Sequence, residues 1–265
     1  MTTTVTSADG TPIAYDAVGD GPAVVLVAGI FCTRGTLAPL AAALAESGLR
    51  VATYDRRGRG DSGGAGAVPP AAEAIALEVE DLDAVMTTLG ADVAVYGHSS
   101  GACLAFRAVE AGTRVRGLVL HEPPWSDEDP DASLAQSHAV HSAVEEGRLG
   151  DAITTFMGDT GMPREVLEGI AADPSMLAVA PTMPYDFAVT GADGSLPAEG
   201  LAAVSVPTLV LAGTASPPFF RRTAEQVTAL VPDARLTLLD GADHGAPAEL
   251  VAPAITAFLL HPEGR

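Results

Sequence analysis

Short apolar runs alternate with longer segments of helical spacing along this chain. Ala23–Ala28 is continuously apolar, the pattern of a strand buried on both faces. Leu37–Ser47 has helical spacing and stops at Gly48. Arg50–Tyr54 predicts the next strand, and Ala71–Leu89 a long helix ended by Gly90. Strands are further predicted at Asp92–Tyr96, Val115–Leu120, Pro207–Ala212 and Arg235–Leu239. Helices are predicted at Ala102–Glu110, Arg222–Leu230 and Leu250–Leu260. Thr2–Ser7 and Pro12–Ala17 form an opening pair joined through Asp9-Gly10. Such alternation implies an α/β fold, a mostly parallel central sheet flanked by helices. The rhythm breaks between about Pro124 and Val204. That stretch has helical patterns, as at Leu134–Glu146 and Asp151–Met157, many prolines and no convincing strand. It predicts a helical cap over 124–204, inserted after strand six. The core is then 1–123 with 205–265.

Composition bounds the function. The 265 residues support one domain with a large core, 48% of them hydrophobic. A net charge of −20 argues against nucleic acid and anionic membrane surfaces. All 14 basic residues are arginine, which excludes a Schiff-base lysine and a P-loop lysine. Nothing near Met1 resembles a secretory leader, and no apolar run approaches a membrane span, so a cytoplasmic protein is expected. Cys32 and Cys103 are too few for a disulfide scaffold and read as bystander thiols. No dinucleotide, metal or flavin motif is present, so no cofactor is expected. The partner implied is a small-molecule substrate; a homodimer stays open.

Chemistry concentrates at Gly97-His98-Ser99-Ser100-Gly101, between a predicted strand and a predicted helix. A serine on such a turn has its hydroxyl thrust out of the backbone. Small residues two positions to either side let strand and helix approach closely. Gly60-Asp61-Ser62-Gly63-Gly64 fits the same pattern, but a polar loop and a proline pair surround it, so Ser62 reads as a loop residue. A serine nucleophile needs a base, and histidine suits because its ordinary pKa is near 6.5. Of six histidines, His244 follows the last strand on a glycine-flanked loop and is the preferred base. His98 should point away from Ser99, and His138 and His141 read as surface or packing residues.

With this order of elements, the chain resembles the α/β-hydrolase family along almost its whole length. Tyr54-Asp55-Arg56-Arg57-Gly58-Arg59-Gly60-Asp61-Ser62 looks like the segment after that family's fourth strand. Ala28-Gly29-Ile30-Phe31 stands where the family has His-Gly-x-x. The resemblance implies an oxyanion hole from the backbone N–H groups of Ile30 and Ser100. It also implies an acid after the penultimate strand, but Ser216 stands there. Glu122, after the preceding strand, is the expected replacement, the alternative being a carboxylate that closes a turn or caps the helical insertion. Asp240 and Asp243 are too near His244 in sequence to have the right direction. Phe31, Trp125 and Tyr185 are candidate substrate contacts, with ordinary core packing the alternative. Arg34 reads either as an anchor for a substrate anion or as a solvent residue. The implied activity is cofactor-free serine hydrolysis of a small or medium ester, thioester or lactone. Acyl transfer, lyase, perhydrolase or haloperoxidase-like chemistry, biosynthetic cyclisation or a non-enzymatic ligand binder are the competing readings.

Overall fold

The computed structural model describes residues 3–64, 66–158 and 161–261. Thr2 and the last four residues, which the sequence reading included, lie outside them. Eight strands form one sheet in the order β1-β2-β4-β3-β5-β6-β7-β8. They are β1 (Thr3–Thr6), β2 (Pro12–Val18), β3 (Ala23–Val27), β4 (Arg50–Tyr54), β5 (Val93–His98), β6 (Leu118–His121), β7 (Thr208–Gly213) and β8 (Ala234–Leu239). The β1–β2 and β2–β4 pairs are antiparallel, and every other pair is parallel.

Every residue of β3 is buried, which is why its sequence is an unbroken apolar run. Alternate residues serve opposite layers. Val25, Val27 and Val95 join the core under α2 (Ala71–Leu89) and α3 (Ser100–Glu110). Val24, Leu26 and Ala94 join the core under α1 (Ala38–Glu46) and α11 (Ala248–Leu260). Helix α10 (Pro218–Leu230) adds Ala224 and Val227 to the first layer. No helix among the described residues is long and apolar enough to cross a membrane.

Between β6 and β7 the chain makes six α-helices, a short 3-10 turn at Ala180–Thr182 and no strand among the described residues: α4 (Pro130–Glu145), α5 (Leu149–Met157), α6 (Arg164–Ala171), α7 (Pro174–Val179), α8 (Met183–Thr190) and α9 (Ala198–Ala202). Helix α4 starts four residues before the apolar pattern. Asp129 caps it through the Ala132 N–H, and Pro130 fills the first turn, where its missing N–H does no harm. The insertion has a small core of its own around Val140, Ala143, Ala152, Ile153, Ala180 and Met183, and Ile30 and Phe31 of the sheet layer pack on it.

Strand β5 runs two residues further than predicted. Gly97 and His98 stay in register because β6 offers Leu120 and His121 as partners. There the backbones of β3, β5 and α3 meet so closely that side chains do not fit. A Cβ on Gly97 would run into the Gly101 carbonyl, and one on Gly101 into the Val27 carbonyl. Gly101→Ala is therefore expected to lose more than about 2 kcal/mol, by forcing backbone apart in a packed core. Gly169→Ala, on an exposed turn of α6 with open space around it, should be neutral or gain up to about 1 kcal/mol. Urea unfolding of both variants checks this; equal midpoints would refute the close-approach account.

Candidate active site

Three non-glycine residues among those described have left-handed backbone: Phe31 (φ 61°), Ser99 (φ 56°) and Glu122 (φ 48°). Each follows the carboxyl end of a different central strand, β3, β5 or β6. Bulky residues adopt this conformation at a cost of about 1–3 kcal/mol, and such strain clusters where geometry serves chemistry.

Ser99 is the single residue between β5 and α3, and its N–H donates to the His121 carbonyl at 2.9 Å. Its Oγ has no hydrogen-bond partner among the described residues, and the residue is 8% exposed. An added Cβ on Gly29 would stand 2.9 Å from the Ser99 Cβ and 3.5 Å from its Oγ, which places the turn after β3 against the serine. In that turn the Cys32 N–H donates to the Gly29 carbonyl at 3.3 Å, and the N–H groups of Ile30 and Phe31 have no partner among the described residues. Ser100 opens α3, where the first amides have no carbonyl one turn earlier to bond.

Glu122 and His244 meet across 122 residues of chain, Nδ1 to Oε2 at 2.6 Å. The carboxylate is fully buried and the imidazole 37% exposed. The other carboxylate oxygen, Oε1, accepts from the Gly213 N–H at 2.7 Å. Ser216 Oγ faces the same carboxylate without closing a well-aligned hydrogen bond. Burial opposes the ionised form of Glu122, but His244, Ser216 and the Gly213 N–H together outweigh it, and its pKa lies below the ordinary carboxylate value. Strands β6 and β7 are parallel neighbours, so an acid at the end of either faces the same loop. That explains why serine at position 216 is compatible with a carboxylate on His244. Asp240 and Asp243 instead bond Thr214 and the Gly245 N–H.

The His244 ring lies in an aromatic stack. Phe220 is nearly parallel to it at 4.4 Å between centroids, and the His98 ring lies 4.6 Å away, tilted by 36°. His98 Nε2 sits 2.8 Å from the His244 carbonyl, so this nitrogen carries the proton and donates. His121 continues the stack 5.0 Å from His98 and bonds the Tyr96 hydroxyl through Nδ1. Burial, with His244 close by, pushes His98 down to about 4, and burial holds His121 well below the ordinary imidazole value. Both are therefore neutral near pH 7. The spacing of His98 in the sequence identified it as pointing away from Ser99, but not as a brace for the His244 loop. Nor did it identify Phe220 as a platform.

Of the predicted substrate contacts, Trp125 and Tyr185 are buried against other side chains. Trp125 is fully buried, edge-on to Phe106 at 5.4 Å, with Nε1 donating to the Thr190 carbonyl; it is core beneath the insertion. Tyr185 is buried with Ala74 and Ala188 against α2. Phe31 does stand beside the serine turn and meets Phe156 of the insertion at 5.7 Å. Arg34 is neither free nor in solvent, because it bonds Asp55, Asp16 and Asp61. Ser62 is a loop residue, donating to the Asp55 carbonyl at 2.6 Å and accepting from the Ala14 N–H at 2.9 Å. Burial pushes the Cys103 thiol up to about 12 and raises that of Cys32, so neither is a thiolate at neutral pH. Surface depressions between α1 and α11 and along β8 contain none of the site residues.

The model of the alpha/beta hydrolase family matches residues 24–254. An alpha/beta hydrolase from Sphaerobacter thermophilus DSM 20745 is 40% identical and superposes with a TM-score of 0.85, over 97% of this chain and 99% of that one. A thermophilic esterase from Thermogutta terrifontis, with malate bound, is 23% identical with a TM-score of 0.75, over 98% of each chain. A bromoperoxidase from Bacillus anthracis is 22% identical with a TM-score of 0.72, over the whole of both chains. The last two show likeness of fold alone. Strand order, serine turn and family match agree: this chain belongs to the alpha/beta hydrolase family.

Proposed function

We propose that this protein is a serine hydrolase that cleaves a small or medium ester, thioester or lactone through an acyl-enzyme on Ser99. The observation that carries the reading is the 2.6 Å Glu122–His244 pair, whose imidazole lies 4.6 Å from the ring of His98, the residue before the strained Ser99. Glu122 accepts from Nδ1, which fixes the tautomer that leaves Nε2 as a base. As substrate seats, Nε2 takes the Ser99 proton and Oγ attacks the acyl carbon. The tetrahedral oxyanion is held by the Ile30 and Ser100 N–H groups. The intermediate collapses when His244 returns the proton to the leaving oxygen or sulfur. Water, deprotonated by the same nitrogen, then attacks the acyl-enzyme, releases the carboxylic acid and restores Ser99. Glu122 stays ionised throughout and stabilises the imidazolium. The helices over 124–204 act as a cap: their apolar cluster rests on Ile30 and Phe31, next to where the acyl group would sit. Catalytic hydrogen bonds are commonly open without substrate, which is compatible with a Ser99 hydroxyl that has no partner among the described residues.

A fluorophosphonate probe should label wild-type protein and Ser62→Ala, and leave Ser99→Ala unlabelled. Labelling that depends on Ser62 and ignores Ser99 would refute the assignment. In Glu122→Gln, turnover of p-nitrophenyl esters should fall on the order of a hundredfold to ten-thousandfold with little change in unfolding midpoint at pH 7. Near-normal turnover would remove Glu122 from the mechanism.

The neutral histidine stack predicts a pH signature. His121 is buried and its folded pKa lies well below 6.5. As pH falls through that value, the unfolded chain binds a proton that the folded site refuses. Stability therefore drops on acidification, by up to about 1.4 kcal/mol per pH unit for each such group. Urea unfolding at pH 7 and pH 5 should show a smaller loss in His121→Phe than in wild type. Equal losses would show that His121 is not held neutral.

A further inference from the structure

Asp186, on α8 of the helical insertion, is buried, and one carboxylate serves three donors from the sheet layer. Arg56 Nη1 lies 2.6 Å from Oδ1, Ser100 Oγ donates to the same oxygen at 2.7 Å, and Arg59 Nη2 lies 2.6 Å from Oδ2. Arg56 is also paired with Glu78 of α2, through Nε at 3.0 Å to each carboxylate oxygen and through Nη2. Two arginines and two carboxylates thus balance within the core, as buried charges must. Burial opposes ionisation of Asp186, but Arg56, Arg59 and Ser100 keep it charged.

The partners beyond the charges are what matter. Arg59 Nη1 donates to the Gly29 carbonyl at 2.8 Å, and its Nε donates to Thr182 Oγ1 at 2.9 Å. Gly29 opens the turn that carries the Ile30 N–H. Ser100 follows the serine and carries the other proposed donor. One carboxylate therefore ties both halves of the proposed oxyanion hole together, directly at Ser100 and through Arg59 at Gly29. Neither half lies within a strand: one is a turn with left-handed Phe31, and the other follows left-handed Ser99.

We propose that Asp186 is a positioning residue, through which the helical insertion sets the spacing of the two oxyanion donors. This rests on the reading of Ser99 as nucleophile. Loosening either arm should weaken stabilisation of the tetrahedral oxyanion more than binding of the ground-state ester, because donor placement matters most where charge develops.

The test compares wild type, Asp186→Asn and Ser100→Ala, the last removing one hydroxyl and no backbone N–H. Active sites are counted by fluorophosphonate titration. kcat per titrated site and KM are measured on a p-nitrophenyl ester. The inhibition constant is measured for a trifluoromethyl ketone with the same acyl group, which adds to Ser99 as a tetrahedral oxyanion. The expected result is kcat per site lower by tenfold or more in Asp186→Asn and about three- to tenfold in Ser100→Ala. KM should stay within about twofold, and the ketone should weaken by the same factor as kcat. Should Asp186→Asn fail to fold, Ser100→Ala decides alone. A fall in titratable sites with kcat per site and ketone affinity unchanged would make the network a fold anchor only and overturn the proposal. Absence of wild-type labelling at Ser99 would overturn the serine reading and this inference with it; labelling with unaltered variants would overturn this inference alone.

Discussion

The structure depends on a backbone crossing in which β3, β5 and α3 approach without side chains between them. Gly97 and Gly101 allow it, since a Cβ on either would meet carbonyl oxygen. The approach puts the first turn of α3 at the edge of the sheet and leaves Ser99 in left-handed backbone, its hydroxyl without a partner among the described residues. The turn after β3 then falls against the serine. Strain at Phe31, Ser99 and Glu122 is sustained because the surrounding layers are densely buried on both sheet faces.

Around this point the chain spends its polar groups on holding other groups in place. Glu122 holds His244, with Gly213 fixing the carboxylate. His98 holds the His244 backbone, and Phe220 lies against its ring. Asp186, Arg56 and Arg59 join the insertion to the serine turn. Most of these groups are buried, so each lost partner would leave an unsatisfied polar atom in a low-dielectric interior. Such arrangements have few alternative states, as the proposed stabilisation of a charge at a defined place requires.

Much of this was legible in the sequence. The mostly parallel sheet flanked by helices followed from apolar runs of strand length alternating with helical spacing, and the last residue of β4 and both ends of α2 fell where Tyr54, Ala71 and Leu89 predicted. Ser99 stood out from Ser62 because a strand precedes it and a helix follows. Glu122 was recognisable because it ends a strand next to the one that carries Ser216. The aromatics of the insertion were less readable: one-dimensional pattern does not separate Trp125 buried on Phe106 from a ring facing a substrate. Asp186 was invisible for another reason. Its partners lie 130, 127 and 86 residues away, and nothing local distinguishes it from a solvated acid. Arg34 was misread in the same way, its acids arriving from two other segments.

The most direct test is to find where the acyl group resides during turnover. Wild-type protein hydrolysing a p-nitrophenyl ester is quenched in acid and digested with trypsin. With no lysine present, trypsin cuts only at arginine, so Ser62, Ser99 and Ser100 share the peptide 60–107, and fragmentation must place the added mass. The account predicts one acyl group on Ser99. Acyl mass on another residue, or steady turnover with no acylated peptide at any quench time, would contradict it.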